Sequence, residues 1–182
     1  MWLRFAGFLI AREPHPSSRD GVYIRYAEDF VATWTVPVYT QRTANLCWEA
    51  CARMMWEWRF KTLNGYGTKA GPYLKLDRGL TELQMDVFYK QLGLRSLPGP
   101  KGANLRHALT WTPVIFTDVG QTSGHAMVLA GFSGGQYRVV NPCAVMSIDF
   151  GTGTGSAVCG SGTILRAATD VETPLGKFMW YW

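Results

Sequence analysis

The stretch 124–142 limits what this chain can fold into more than any other. Gly124-His-Ala-Met-Val-Leu-Ala-Gly-Phe132 is an almost unbroken apolar run, Ser133-Gly134-Gly135 is a turn signal, and Gln136-Tyr-Arg-Val-Val-Asn141-Pro142 is a second run. Two such runs about a glycine pair read as the antiparallel strands of one hairpin, since glycine accepts the positive φ of a tight turn. Folding about Ser133 sets His125 opposite Asn141. Cross-strand neighbours on one face stand close enough for an amide oxygen to accept from an imidazole nitrogen. Proline cannot donate to a ladder, so Pro142 is expected to end the strand just beyond Asn141.

The second constraint is helical. Over residues 46–60 the apolar side chains of Cys47, Ala50, Cys51, Met54, Met55 and Trp58 recur at three- and four-residue steps, the pattern of a helix buried along one stripe. Cys47 stands in its first turn. A thiol becomes a useful nucleophile when a helix N-terminus and an imidazolium stabilise its thiolate, and His125 is the candidate imidazole. Gln41 lies six residues ahead of Cys47, after an extended entry over residues 34–38.

Between these elements, Gly65, Gly67, Gly71 and Pro72 predict a loop. Thr81-Glu-Leu-Gln84 is a capping box opening a helix through Gln91, with Leu83, Val87 and Phe88 facing inward and Gly93 ending it. A short helix over 104–110 and a strand over 113–117 follow. Beyond Asn141 the chain is rich in Gly and Ser through Gly162, which predicts a mobile loop near the site. The apolar tail, Phe178-Met-Trp-Tyr-Trp182, closes the core or marks a partner surface. Helices first and an antiparallel sheet second give an α+β domain, helical over about 40–110 and sheet over about 111–182.

With 182 residues, 47% hydrophobic and 17% charged, the chain suits one core and a single domain over 1–182. The net charge of +5 is scattered, so it reads as a solubilising surface or a mild preference for an acidic partner, and nucleic acid is not required. Cysteines at 47, 51, 143 and 159 form no small-domain disulfide framework and no export signal stands out, which suggests a reducing compartment. Cys51 reads as core and Cys143 as a small strand-end residue. The Cys47–Cys51 spacing is wider than a zinc knuckle, so no metal and no cofactor is expected. His15 in a proline loop and His107 in a short helix read as ordinary histidines. The N-terminal apolar run is split by Arg4, and no stretch reaches the ~20 apolar residues of a membrane helix, so no membrane insertion is expected.

Gln41, a six-residue step to Cys47-Trp48 at a helix start, then Gly124-His125 and Asn141-Pro142: this combination resembles the papain-like cysteine peptidases. Within them, Cys47-Trp-Glu-Ala-Cys-Ala-Arg-Met54 looks most like the compact bacterial peptidases, the avirulence-type effectors and the relatives that cleave bacteriocin leaders. The similarity covers about residues 35–145 and rests on four short motifs. It implies a papain-like fold, an N-terminal nucleophile helix packed on a C-terminal antiparallel sheet. It implies Cys47 as nucleophile, His125 as general base and then acid, Asn141 as the group orienting His125, and Gln41 as an oxyanion donor beside the Cys47 N–H. The compact bacterial relatives commonly carry Asp at the position of Asn141, whereas papain itself has Asn there, like this chain. Asp149 is the alternative orienter should the hairpin register differ.

The resemblance further implies a thiol protease acting on a protein substrate. Related domains are toxins injected into competitors beside an immunity protein. By that likeness the chain is a toxin or effector domain delivered by a secretion system, active in the reducing cytosol of a target cell, with a cognate immunity protein. The same triad also serves amidases, deamidases and transglutaminases, and a peptidase fold can persist as a catalytically silent binding module.

Overall fold

The computed structural model describes residues 3–5, 8–10, 32–97, 102–119, 124–149, 156–172 and 179–182. His15 and its proline loop lie outside them.

In chain order, β1 (Leu3–Phe5) and β2 (Phe8–Ile10) form their own antiparallel pair. After β3 (Ala32–Thr33) comes the helical part: α1 (Cys47–Phe60), α2 (Tyr66–Ala70), a 3₁₀ segment over Gly71–Lys75, and α3 (Glu82–Leu92). The rest is β4 (Arg95–Leu97), α4 (Gly102–Leu109), β5 (Val114–Val119), β6 (Gly124–Ser133), β7 (Gln136–Asp149), β8 (Ser156–Ala167), α5 (Ala168–Glu172) and β9 (Met179–Tyr181). One antiparallel sheet orders its strands β4-β9-β5-β6-β7-β8, with β3 also paired to β6. The domain is α+β, its N-terminal helix packed on the sheet through β6 and β7.

The apolar run of β6 is continuous because both its faces are covered. Ala126, Val128 and Ala130 join Ile115 and Val140 in the core beneath α1, with Met54, Met55 and Phe88. Met127, Leu129 and Phe132 belong to a second core with Leu105 and Leu109 of α4, Tyr137, Val139 and Val171. Strand alternation divides one apolar run between two cores.

Burial of α1 exceeds the single stripe expected. Trp48, Glu49, Ala52 and Trp56 are buried as well as Cys47, Ala50, Cys51, Met54 and Met55. α2 occupies a segment whose glycines predicted a loop. The burial of Tyr66 and Ala70, one turn apart, outweighs that composition. α3 has the capping box of Thr81 and Gln84 and the Gly93 stop, but its inward face is Met85, Phe88, Tyr89 and Leu92. Leu83 and Val87, expected inside, are 74% and 50% exposed. Only the first set follows the i, i+3, i+4, i+7 rhythm of one helix face.

The hairpin departs from the expected register in an instructive way. Gly134 and Gly135, with φ of 55° and 74°, form the two-residue turn, and Ser133 pairs with Gln136. A register shift between Leu129 and Gly131 then brings Val139 opposite Leu129 where folding about Ser133 had set Met127. Beyond the shift the slip is two residues, an even number, which keeps His125 and Asn141 on the face expected of them. Pro142 does not end the strand either. β7 continues to Asp149 paired with β8, and the ladder shifts register between Asn141 and Val145, around the proline that cannot donate to it. Much of the stretch expected as a mobile loop is therefore a two-stranded ribbon.

The aromatic tail closes the core. β9 lies between β4 and β5, and Trp182 packs against Phe60 and Trp56 at ring separations of 5.4 and 6.4 Å. Gly93 makes this fit possible. Its φ is +97°, and a Cβ there would meet the Trp182 ring at 2.9 Å. Gly93→Ala is expected to destabilise the protein by about 1–2 kcal/mol or more, read as a lower urea midpoint, through the left-handed backbone and the displaced ring together.

Candidate active site

α1 starts at Cys47, with Leu46 as N-cap and no side chain capping the helix. The helix N-terminus carries a partial positive charge that favours an anion in its first turn. Cys47 is buried, 7% exposed, at the edge of a cleft of about 480 Å³. Gln41, Ala44, Asn45 and Trp48 line one side of this cleft with Cys47, and Gly79, Leu80, Met85, Gly124, His125 and Cys143 complete it.

His125 stands near the start of β6, half-buried. Its Nε2 lies 2.8 Å from Asn141 Oδ1. The same oxygen accepts from the backbone N–H of Cys143 at 2.8 Å. A backbone N–H only donates, so the atom facing it is the amide oxygen, and His125 must donate to that oxygen through Nε2. This leaves Nδ1 as the nitrogen free of Asn141, and the Cys47 thiol hydrogen-bonds to the imidazole.

Burial pushes the Cys47 thiol up, but hydrogen bonds from His125 and from the backbone N–H groups of Ala126 and Trp48, together with the charge of His125, outweigh it. The net direction is down. Cys51, one turn further on, is fully buried, and burial pushes its thiol well up, with Cys47 and Glu49 adding to the shift. Two cysteines four residues apart thus have opposite chemistry, one exposed to stabilising donors and the other packed in the core.

Gln41 is 5% exposed, and its backbone N–H donates to Pro142 O at 3.2 Å. Its Nε2 donates to Thr43 O at 3.0 Å, while Oε1 is buried without a partner. An amide nitrogen carries two protons, so Nε2 keeps a second one to offer. Of the residues singled out in the sequence, Gln41, Cys47 and His125 therefore line one cleft, and Asn141 is joined to it through His125. Asp149 stands opposite Ser156, further along β7 than Asn141. His107 is exposed on α4.

Cys143, expected as a plain strand-end residue, is disulfide-bonded, a state rare in the reducing compartment that the cysteine pattern suggested, whereas Cys47 and Cys51 are free. The cleft also has walls that no motif announced. Leu80 and Met85 belong to a loop and a helix with no sequence link to Cys47, and only the packing of α3 beside α1 makes them neighbours. Among the described residues no group of three or more His, Cys, Asp or Glu is arranged to hold a metal. No helix among them is long and apolar enough to cross a membrane.

Three comparisons bear on this geometry. No curated protein matches the chain. A solved structure, that of a double glycine motif protease from an AMS/PCAT transporter in complex with the leader peptide, superposes with a TM-score of 0.52 at 16% identity. The match covers 82% of this chain and 94% of that one, so the two share a fold. The family model described as papain-like cysteine protease AvrRpt2 matches residues 30–146, more than half of the chain and all four motifs. The chain belongs to this family and is a papain-like cysteine peptidase.

Proposed function

We propose that the protein is an endopeptidase working through Cys47, His125 and Asn141, with Gln41 and the Cys47 N–H as oxyanion donors. The observation that carries this is the bond from His125 Nε2 to an Asn141 oxygen that Cys143 also holds, with the thiol of Cys47 drawn down on the other side. Cys47 thiolate attacks the scissile carbonyl carbon, and the negative charge that develops on its oxygen is met by Gln41 Nε2 and the Cys47 N–H. His125 protonates the leaving amine and then takes a proton from the water that releases the acyl group. Asn141 keeps the imidazole in the required tautomer throughout.

The substrate is a protein, in keeping with a family of peptidases and with a fold neighbour that was crystallised with a leader peptide. We infer the biological setting from the likeness to avirulence-type effectors. The domain would be a toxin or effector delivered by a secretion system into a target cell's cytosol, and neutralised by a cognate immunity protein in the producer. The opposing reading is a peptidase fold kept as a binding module.

Iodoacetamide alkylation between pH 4 and 9, with the label located by peptide mass, separates the two. Fast labelling of Cys47 that persists below about pH 6, with Cys51 unlabelled, is the expected result. A rate that rises only towards the ordinary thiol value of about 8.5 would leave the binding module.

A further inference from the structure

The loop that carries Gln41 is held at several points. Gln41 holds to Pro142 by its backbone and to Thr43 within the same loop by its side chain. Beside it Thr40 Oγ1 donates to Ser161 Oγ at 2.7 Å and Thr43 Oγ1 to Asp77 Oδ1 at 2.8 Å, while one face of α1 grips Tyr39 and Arg42. Tyr39 donates to Glu57, and the Arg53 guanidinium lies over the Tyr39 ring at 4.3 Å. Arg42 and Arg53 both approach Glu49, each at 3.9 Å, one at each carboxylate oxygen. Glu49, Arg53 and Glu57 recur every four residues and so form a single row on the helix. Glu49 is two residues from Cys47, which turns it about 200° around the helix, away from the thiol.

Glu49 is a costly choice for this place. Its side chain is 5% exposed, and burial raises its carboxyl above the ordinary value despite both arginines. The pairs at 3.9 Å are longer than hydrogen bonds, and the Tyr66 hydroxyl on α2 donates to the Glu49 backbone oxygen at 3.4 Å and also favours the ionised carboxylate. An apolar side chain of similar volume would serve stability as well or better. What it would lose is the tie from Arg42, the residue next to Gln41, to the nucleophile helix.

We propose that Glu49 is a positioning residue. By pairing with Arg42 and Arg53 it holds the Gln41 loop against α1, so that Gln41 Nε2 meets the oxygen of the carbonyl that Cys47 attacks. The proposal rests on the peptidase reading above.

Two rates on the same protein test it. Iodoacetamide alkylation reads the Cys47 thiolate alone, because displacement at a saturated carbon creates no oxyanion. Acylation by p-nitrophenyl acetate, followed by release of p-nitrophenolate, passes through a tetrahedral oxyanion. Glu49→Gln is expected to slow acylation by about 10- to 100-fold, with alkylation at pH 6 unchanged. The urea midpoint should not fall, because the buried charge is gone and both arginines reach solvent, with side chains 54% and 28% exposed. Arg42→Met should give the same split, and since Arg42 is mostly exposed it decides the matter if Glu49→Gln does not fold. Unchanged acylation overturns the proposal, as does a parallel fall of both rates with the urea midpoint, which marks a structural role. If wild-type Cys47 resists alkylation below pH 6, the peptidase reading itself fails, and this inference with it.

Discussion

His125→Ala is expected to abolish measurable peptide cleavage, a loss of about 10⁴- to 10⁶-fold, because it removes the base, the acid and the partner of the thiolate in one step. It should also move the alkylation of Cys47. Without the imidazole, burial is opposed only by the N–H groups of Ala126 and Trp48, so the thiol returns to or above its ordinary range. At pH 6 the labelling rate should then fall by about 300-fold, to the thiolate fraction of a thiol with a pKa near 8.5. The fold should survive, since His125 is half-buried and Asn141 keeps its bond to the Cys143 N–H. A variant that retains acid-range labelling would show that something other than His125 activates Cys47.

The largest loss of stability is expected at the neighbour of the nucleophile. Trp48 is 1% exposed and meets Phe88 edge to face at 5.0 Å and Tyr73 at 6.5 Å. Its Nε1 donates to Arg78 O at 3.2 Å, and its own carbonyl accepts from Tyr89 at 3.1 Å. One side chain thus joins α1, the 3₁₀ segment, the loop at Arg78 and α3. Trp48→Ala leaves a cavity where these meet and is expected to cost about 3–5 kcal/mol in urea denaturation. Trp48→Phe keeps most of the ring and loses the donor to Arg78, which should cost nearer 1 kcal/mol for the bond and somewhat more for the lost volume. Equal losses for the two would mean that the hydrogen bond, and not the packing, governs this junction.

What the sequence disclosed about this site was local. The helix at Cys47 was legible because its burial repeats at three and four residues, and the Thr81 capping box because four residues specify it. The meeting of His125 and Asn141 was legible for a less secure reason. The turn was misplaced and a bulge was not foreseen, but the net slip was even, and parity alone decides which residues share a face. The long ribbon of β7 and β8 was missed because its glycines and serines resemble a loop, and its pairing depends on contacts between strands that composition does not report. The cleft walls at Leu80 and Met85, and the grip of Arg42 and Arg53 on Glu49, arise from elements brought together only by folding. No spacing in the chain encodes them.

The Cys143 disulfide has a consequence at the bench. It lines the same cleft as a cysteine that must be reduced to react, and its backbone N–H steadies Asn141. Thiol reductants, routine in cysteine peptidase assays, attack any disulfide they can reach, to an extent set by concentration and potential. Turnover numbers from two buffers of different redox potential therefore describe two different populations of molecules. They become comparable only when the fraction of Cys143 still oxidised is counted alongside the fraction of Cys47 that is free.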